Sequence, residues 1–331
     1  MERRRILLDT DIGPDCDDAA ALALCILYAR ETGSELLGVM HCTSSPWGVG
    51  AIRSILRWYG AEQTPVGTLK DPGFLTGPAY EKYNRPLAEE MPAEARQAPD
   101  CTRLYREILA AQPDHSVEII GVGPLRNLAN LLSSEADSVS PLSGWGLIAK
   151  KVARLTLMAG NFAPDCTGPE WNVEMDLTSA RLILETWPGE INLLGWEAGA
   201  DVIALREPHA LSPENPVAQT YRLYAGGAGR NSWDLCTVQW AMHPDCPFYD
   251  PSAPGLVTLD AQDFFDQELA RCGVEYFDVF MLHWLNGKNY QIAQACQQFR
   301  FLSEKKAEGR ARRIGFSYHD SACLLYTSRC V

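Results

Sequence analysis

The chain has 331 residues, with 42 acidic against 29 basic side chains and a formal net charge of −13. That balance excludes the basic footprint of a nucleic-acid binder, and no apolar run reaches membrane-spanning length, so neither nucleic acid nor membrane is an expected partner. Eleven cysteines without a Cys-x-x-Cys pair suit a reducing cytoplasm better than a disulfide scaffold. The start, with only Ile6-Leu7-Leu8 before Asp9, falls short of a signal peptide, and a cytoplasmic location is expected.

In chain order, Ile6-Leu7-Leu8 predicts a strand over 5–9. It runs into Asp9-Thr10-Asp11-Ile12-Gly13-Pro14-Asp15-Cys16-Asp17-Asp18, and the apolar stretch Ala19–Tyr28 then predicts a helix over 18–31. Further strands are expected at 35–41, 117–121, 154–158 and 191–195. Helices are expected near 48–59, 102–111, 124–132, 178–186 and 234–242. Strands rich in Ile, Leu and Val on both faces, alternating with helices, predict an α/β fold: a mostly parallel open sheet covered by helices on both faces. The acidic turn, Val122 and Ala159-Gly160 all follow strand ends, where open α/β sheets bind ligands.

Five carboxylates in one ten-residue turn repel one another unless a cation sits among them, and an all-oxygen cluster suits a hard ion such as Ca²⁺ or Mg²⁺. Aspartates also serve in turns and as helix caps, which accounts for one or two of them but not five. A calcium-binding helix-loop-helix needs Gly at loop position six and Glu at position twelve. Counted from Asp9, those positions hold Pro14 and Ala20. A phosphohydrolase with an Asp-x-Asp nucleophile stays as an alternative, although Gly13 stands where such enzymes carry Thr or Val.

Four motifs resemble the inosine/uridine-preferring nucleoside hydrolase family. They are the acidic turn, two residues longer between Gly13 and Asp17-Asp18 than the shortest form; Gly123-Pro124-Leu125-Arg126-Asn127 after the strand at 117–121; Pro169-Glu170-Trp171-Asn172 with Asp176 following; and Ser232-Trp233-Asp234 before a helix. The resemblance implies a Ca²⁺-dependent hydrolase of a small nucleoside-like substrate. It implies Asp11, Asp18, Asp234 and the Val122 carbonyl as metal ligands, with Asp11 also the catalytic base. Asp17, Glu170 and Asn172 would bind ribose hydroxyls, Trp233 would stack on the base, and Asp9 would orient the turn from outside the ligand set. A homo-oligomer is compatible with it. Two departures stand out: Trp233 replaces the His that many members use to protonate the leaving base, and Thr43-Ser44-Ser45 replaces an Asn.

The C-terminal part has a different character. Cys272–His283 and Gly309-Arg310-Ala311-Arg312-Arg313-Ile314-Gly315-Phe316-Ser317 resemble strands of aldo-keto reductases, as a fragment of a β/α-barrel that needs eight units. Residues 323–331 resemble translated sequencing-adapter DNA, two head-to-head transposase mosaic ends. The expected organisation is therefore a hydrolase-like domain over 1–261, a partial barrel over 262–322 and an adapter-derived tail over 323–331, a chimera whose activity is open.

Overall fold

The computed structural model describes residues 3–163, 170–207, 209–257, 259, 261–285, 290, 293 and 298–318. Its contacts divide the chain into two compact units, Met1–Leu256 and Val257–Val331. That division falls a few residues before the boundary expected from the sequence at 261/262.

The first unit begins with β1 (Arg5–Thr10), α1 (Asp17–Thr32), β2 (Glu35–His41), α2 (Gly48–Trp58) and β3 (Val66–Thr68). It continues with α3 (Asn84–Glu89), α4 (Cys101–Ala111), β4 (Val117–Gly121), α5 (Arg126–Ser133), α6 (Gly144–Lys151) and β5 (Val152–Met158). After that come α7 (Trp171–Met175), α8 (Leu177–Thr186), β6 (Ile191–Leu194), α9 (Trp196–Gly199), β7 (Ile203–Ala204), α10 (Pro216–Ala225), β8 (Arg230–Asn231) and α11 (Trp233–Met242).

Six strands form one sheet in the order β3-β2-β1-β4-β5-β6, and every pair is parallel. Ile6, Leu7 and Leu8 are all fully buried. Ile6 and Leu8 join the core cluster with Ala19, Leu22 and Ile26 of α1, whereas Leu7 lies beside Gly38 on the side where Ile108 of α4 approaches. Helices on both faces are thus the reason this strand reads as a continuous apolar run rather than an alternating one. Each such side chain stabilises the fold by about 1.5–3 kcal/mol.

The winding positions the site. From β1 the chain moves outward through β2 to β3, returns to β4 on the other side of β1, and proceeds through β5 to β6. The order reverses between β1 and β4, the place where open parallel sheets leave a crevice beyond the carboxyl ends of their strands. Asp9 is paired with Gly121 there, and the Val122 amide donates to the Asp9 carbonyl at 2.8 Å.

The second unit contains α12 (Ala261–Cys272), β9 (Phe277–Leu285), a helix over Gln298–Ala307 and β10 (Ala311–Tyr318), with β9 and β10 parallel. Phe265 is fully buried and meets Phe277, Phe280 and Phe301 edge-on at 5.5, 4.9 and 5.8 Å. Val279 and Met281 of β9 stay about half exposed, at 49% and 53%. The His283 side chain, Pro169 and the adapter-like residues 323–331 lie outside the described residues. Among the described residues no helix is long and apolar enough to cross a membrane.

Candidate active site

The acidic turn delivers its carboxylates in two directions. Asp9, the last residue but one of β1, points away from the others. Its Oδ2 accepts from the Tyr105 hydroxyl of α4 at 2.8 Å and from the Asn127 amide of α5 at 3.1 Å. Burial pushes its carboxyl up to about 7, with those hydrogen bonds pulling the other way.

Asp11 lies beyond the strand end, buried, and so close to Gly123 that a Cβ at that glycine would stand 2.7 Å from its Oδ1. Burial raises Asp11 to about 8; a hydrogen bond with Asp18 opposes the shift, while the charges of Asp17 and Asp15 add to it. The turn between Asp11 and α1 depends on Gly13, whose φ of 150° and contact with the Tyr80 carbonyl and Asn84 amide leave no room for a side chain.

Asp17 and Asp18 open α1, and Asp234 opens α11, which packs along α1. All three are buried, and their oxygens lie within 4.8 Å of one another. Asp17 accepts the Asp234 backbone amide at 3.1 Å, so the positive end of α11 faces it. The Thr10 hydroxyl holds Asp18 at 2.5 Å. Burial drives the carboxyl pKa of Asp17, Asp18 and Asp234 well up, and their mutual charges drive it further. Such a set is unfavourable when fully ionised without a cation. The donor set, buried, oxygen-only and drawn from two chain segments far apart in sequence, fits a hard divalent ion.

The sequence expectation for ligands was Asp11, Asp18, Asp234 and the Val122 carbonyl, with Asp17 reserved for ribose. The structure gathers Asp17, Asp18 and Asp234, with Asp11 hydrogen-bonded to Asp18 at their side. The Val122 carbonyl accepts from Asn172 Nδ2 at 3.4 Å, which also donates to the Met158 carbonyl at 3.1 Å. Asn172 thereby ties α7 to the ends of β4 and β5. Glu170 caps α7: its carboxylate accepts from the amides of Asn172 at 2.7 Å, Val173 at 3.2 Å and Gly160 at 3.3 Å. Burial raises its pKa to about 7 against those three bonds. Trp233, beside Asp234, donates its Nε1 hydrogen to the Trp196 carbonyl at 2.8 Å, and the two indoles meet at 6.2 Å.

Several residues escaped sequence reasoning. Tyr105 and Asn127 fix Asp9, and only Asn127 belongs to a quoted motif. Asn84 of α3 is fully buried against the Ile12 carbonyl at 3.4 Å and Ser45 Oγ at 3.5 Å. It fills the neighbourhood of the turn and of the Thr43-Ser44-Ser45 segment that lacks the expected Asn. His41 ends β2, buried between the hydroxyls of Thr68 (3.1 Å) and Thr43 (2.9 Å), and burial lowers its pKa to about 3. Tyr221 of α10 buries a hydroxyl that has no partner among the described residues. Arg230 pairs with Asp15.

A parallel α/β sheet with a buried carboxylate cluster at its switch point is an enzyme scaffold that sets a donor group suited to a metal ion where such sheets bind ligands. Residues 6–303 match the model of the inosine-uridine preferring nucleoside hydrolases, and the chain belongs to that family, whose members are hydrolases acting on N-glycosyl bonds. The match continues through 262–303.

Solved structures with a similar fold include the inosine-uridine preferring nucleoside hydrolase from Bacillus anthracis, at 19% identity and a TM-score of 0.53, covering 73% of this chain and 82% of that one. An inosine-guanosine nucleoside hydrolase matches at 17% identity and a TM-score of 0.53, covering 82% and 92%. The type III effector protein XopQ, solved in complex with adenosine diphosphate ribose, matches at 17% identity and a TM-score of 0.55, covering 72% and 81%. Among curated proteins none matches the chain.

Proposed function

We propose that this chain hydrolyses the N-glycosidic bond of a ribonucleoside or a related ribosyl compound, releasing ribose and the base, with Ca²⁺ as cofactor. The observation that carries the reading is the buried Asp17-Asp18-Asp234 cluster beside Asp11. A bound Ca²⁺ supplies a grip on vicinal hydroxyls and lowers the pKa of water. Asp18, Asp234, the Val122 carbonyl and Asp11 would hold the ion, and Asp11 would also take the proton of the attacking water. Asp17 accepts from a ribose hydroxyl, and Glu170 and Asn172 bind hydroxyls on the far side of the sugar. These groups stabilise the ribosyl cation that develops as the bond breaks. Trp233 packs against the leaving group. Asp9, held by Tyr105 and Asn127, orients the turn.

That the Bacillus anthracis and inosine-guanosine proteins are nucleoside hydrolases supports a nucleoside substrate. Location in the cytoplasm agrees with the free cysteines, Cys16, Cys25, Cys42, Cys101 and Cys236 among them. Residues 262–322 are a reductase-like fragment in this reading, supported by a parallel pair, β9 and β10, that is a two-stranded sheet among the described residues and leaves Val279 and Met281 about half exposed, where parallel sheets are normally covered on both faces. Rereading the source DNA across codons 255–268 tests that junction.

The activity is tested by sugar release from nitrophenyl riboside, inosine and uridine, in Ca²⁺ and after chelation. Release in Ca²⁺ and loss after chelation are expected. No release from any of the three overturns the reading.

A further inference from the structure

Two departures from the family pattern meet at one side chain. The acidic turn is longer by two residues and carries Asp15; the position of the proton donor carries Trp233. Arg230, at the start of β8, joins them. Its Nε lies 3.0 Å from each Asp15 oxygen and its Nη2 lies 2.5 Å from Oδ2. The guanidinium carbon sits 5.0 Å from the centre of the Trp233 ring and 5.6 Å from that of Tyr224. Lys82 approaches the same Tyr224 ring at 4.6 Å. A guanidinium presents five N–H donors, and among the described residues no acceptor meets Nη1.

We infer that Arg230 takes over the task of the missing proton donor, stabilising the leaving group as an anion through Nη1 instead of protonating it. The inference rests on the ribohydrolase reading above. When the bond from C1′ to the leaving atom breaks, both electrons go to that atom. Water adds to C1′ and its proton passes to Asp11. The leaving group departs anionic and is protonated by solvent after release.

The geometry suits this work. A stabilising charge is most effective when it is already fixed where negative charge will develop, and the Asp15 fork and two aromatic rings fix Arg230. Burial opposes its charge, but the hydrogen bonds and charge of Asp15 outweigh that and hold its pKa above the usual range. Trp233 cannot compete for the role, because its one N–H is spent on the Trp196 carbonyl. The Asp15 pair also explains why the longer turn and the tryptophan occur together: the added carboxylate anchors the cation that the lost donor makes necessary.

The test is a series of substituted phenyl ribosides whose leaving phenols span several pKa units, assayed with the full chain, Arg230→Gln and Arg230→Lys in Ca²⁺. Arg230→Gln should lose about 10²–10³-fold in kcat, as for removal of one preorganised donor. The loss should grow with phenol pKa, so that the dependence of kcat on leaving-group pKa steepens. Arg230→Lys, which keeps the charge, should restore part of the rate and of the shallower slope; it carries the test alone if the glutamine variant fails to fold. An equal loss across the series would reduce Arg230 to a structural prop and overturn the assignment, as would no loss at all. A parent chain inactive on every member overturns the hydrolase reading instead, and this assignment with it.

Discussion

Asp11, Asp17, Asp18 and Asp234 are each costly to bury ionised, and the proposed function divides them between binding and proton transfer. Replacing Asp18 with Ala removes an oxygen held by Thr10 at 2.5 Å from a group of three carboxylates whose oxygens lie within 4.8 Å of one another. The Ca²⁺-dependent rise in melting temperature should vanish in this variant. An undiminished rise would reject the metal assignment. Asp11→Asn keeps an oxygen donor but cannot take a proton, so it should bind Ca²⁺ nearly as well as the parent and lose most sugar release, about 10²–10⁴-fold. Equal rates on nitrophenyl riboside would remove Asp11 as the base. Gly123→Ala tests the same carboxylate from the other side. A Cβ placed 2.7 Å from Asp11 Oδ1 and from Cys42 Sγ forces Asp11 to move. Activity should drop at least about tenfold, since misplacement by about 1 Å can cost 10²-fold; a variant as active as the parent would show that Asp11 has slack.

The carboxylates were legible in the sequence because three of the four lie within one turn, where their density cannot be explained by capping. Asp234 was legible only through its motif, more than two hundred residues away. Tyr105, Asn84 and Arg230 carry no local signal: a single Tyr, Asn or Arg on a polar background becomes meaningful only when the fold sets it against Asp9, Gly13 or Asp15.

At the level of elements, the strands over 35–41 and 117–121 occupy the expected bounds, because runs buried on both faces leave little ambiguity. The expected helix over 124–132 begins at Arg126 instead, since Pro124 and Leu125 serve the turn that brings Val122 to the site. Short elements went unread. β3 is a three-residue Val-Gly-Thr, α3 spans six residues around Pro86, and α6 begins Gly-Trp-Gly. None is long enough for a period to emerge, and Gly and Pro argue against each locally. Helix α1 shows the opposite case. Ala19, Ala21, Leu22 and Cys25 are all fully buried, since α2, α10 and α11 pack round it and β2 lies against it. Because α1 also carries Asp17 and Asp18, its packing holds the site. Leu22→Ala should destabilise the chain by about 2–5 kcal/mol in denaturant unfolding. A cost below about 1 kcal/mol would mean that the core around α1 collapses to fill the space.

For the whole molecule, the switch between β1 and β4 concentrates ionisable groups where the sheet must otherwise be dry, and this ties stability to pH. Asp9, Asp11 and Glu170 are raised by burial to about 7, 8 and 7, and Asp17, Asp18 and Asp234 are raised as well. Unfolded, all six titrate near pH 4. Between about pH 4 and pH 8 the metal-free folded state therefore holds more protons than the unfolded state, so these groups favour folding at the acidic end and that contribution is lost as pH rises through 7 to 8. Two groups have the opposite sign: Asp137, lowered to about 2 chiefly by its hydrogen bond with Arg106, changes its contribution only below pH 4, whereas His41, lowered by burial to about 3, favours folding as pH rises towards 6.5 and offsets part of the loss from the six carboxylates there. In the proposed function Ca²⁺ takes the deprotonated oxygens, so its effect should run the other way and strengthen with pH. The melting temperature of chelator-treated protein should fall from pH 5 to pH 8, while the rise caused by Ca²⁺ should be small at pH 5 and large at pH 8. A metal-free melting temperature that climbs over this interval would mean the carboxylates are already ionised in the fold. The charge cluster at the switch point would then be balanced by the protein itself, with no need of a cation.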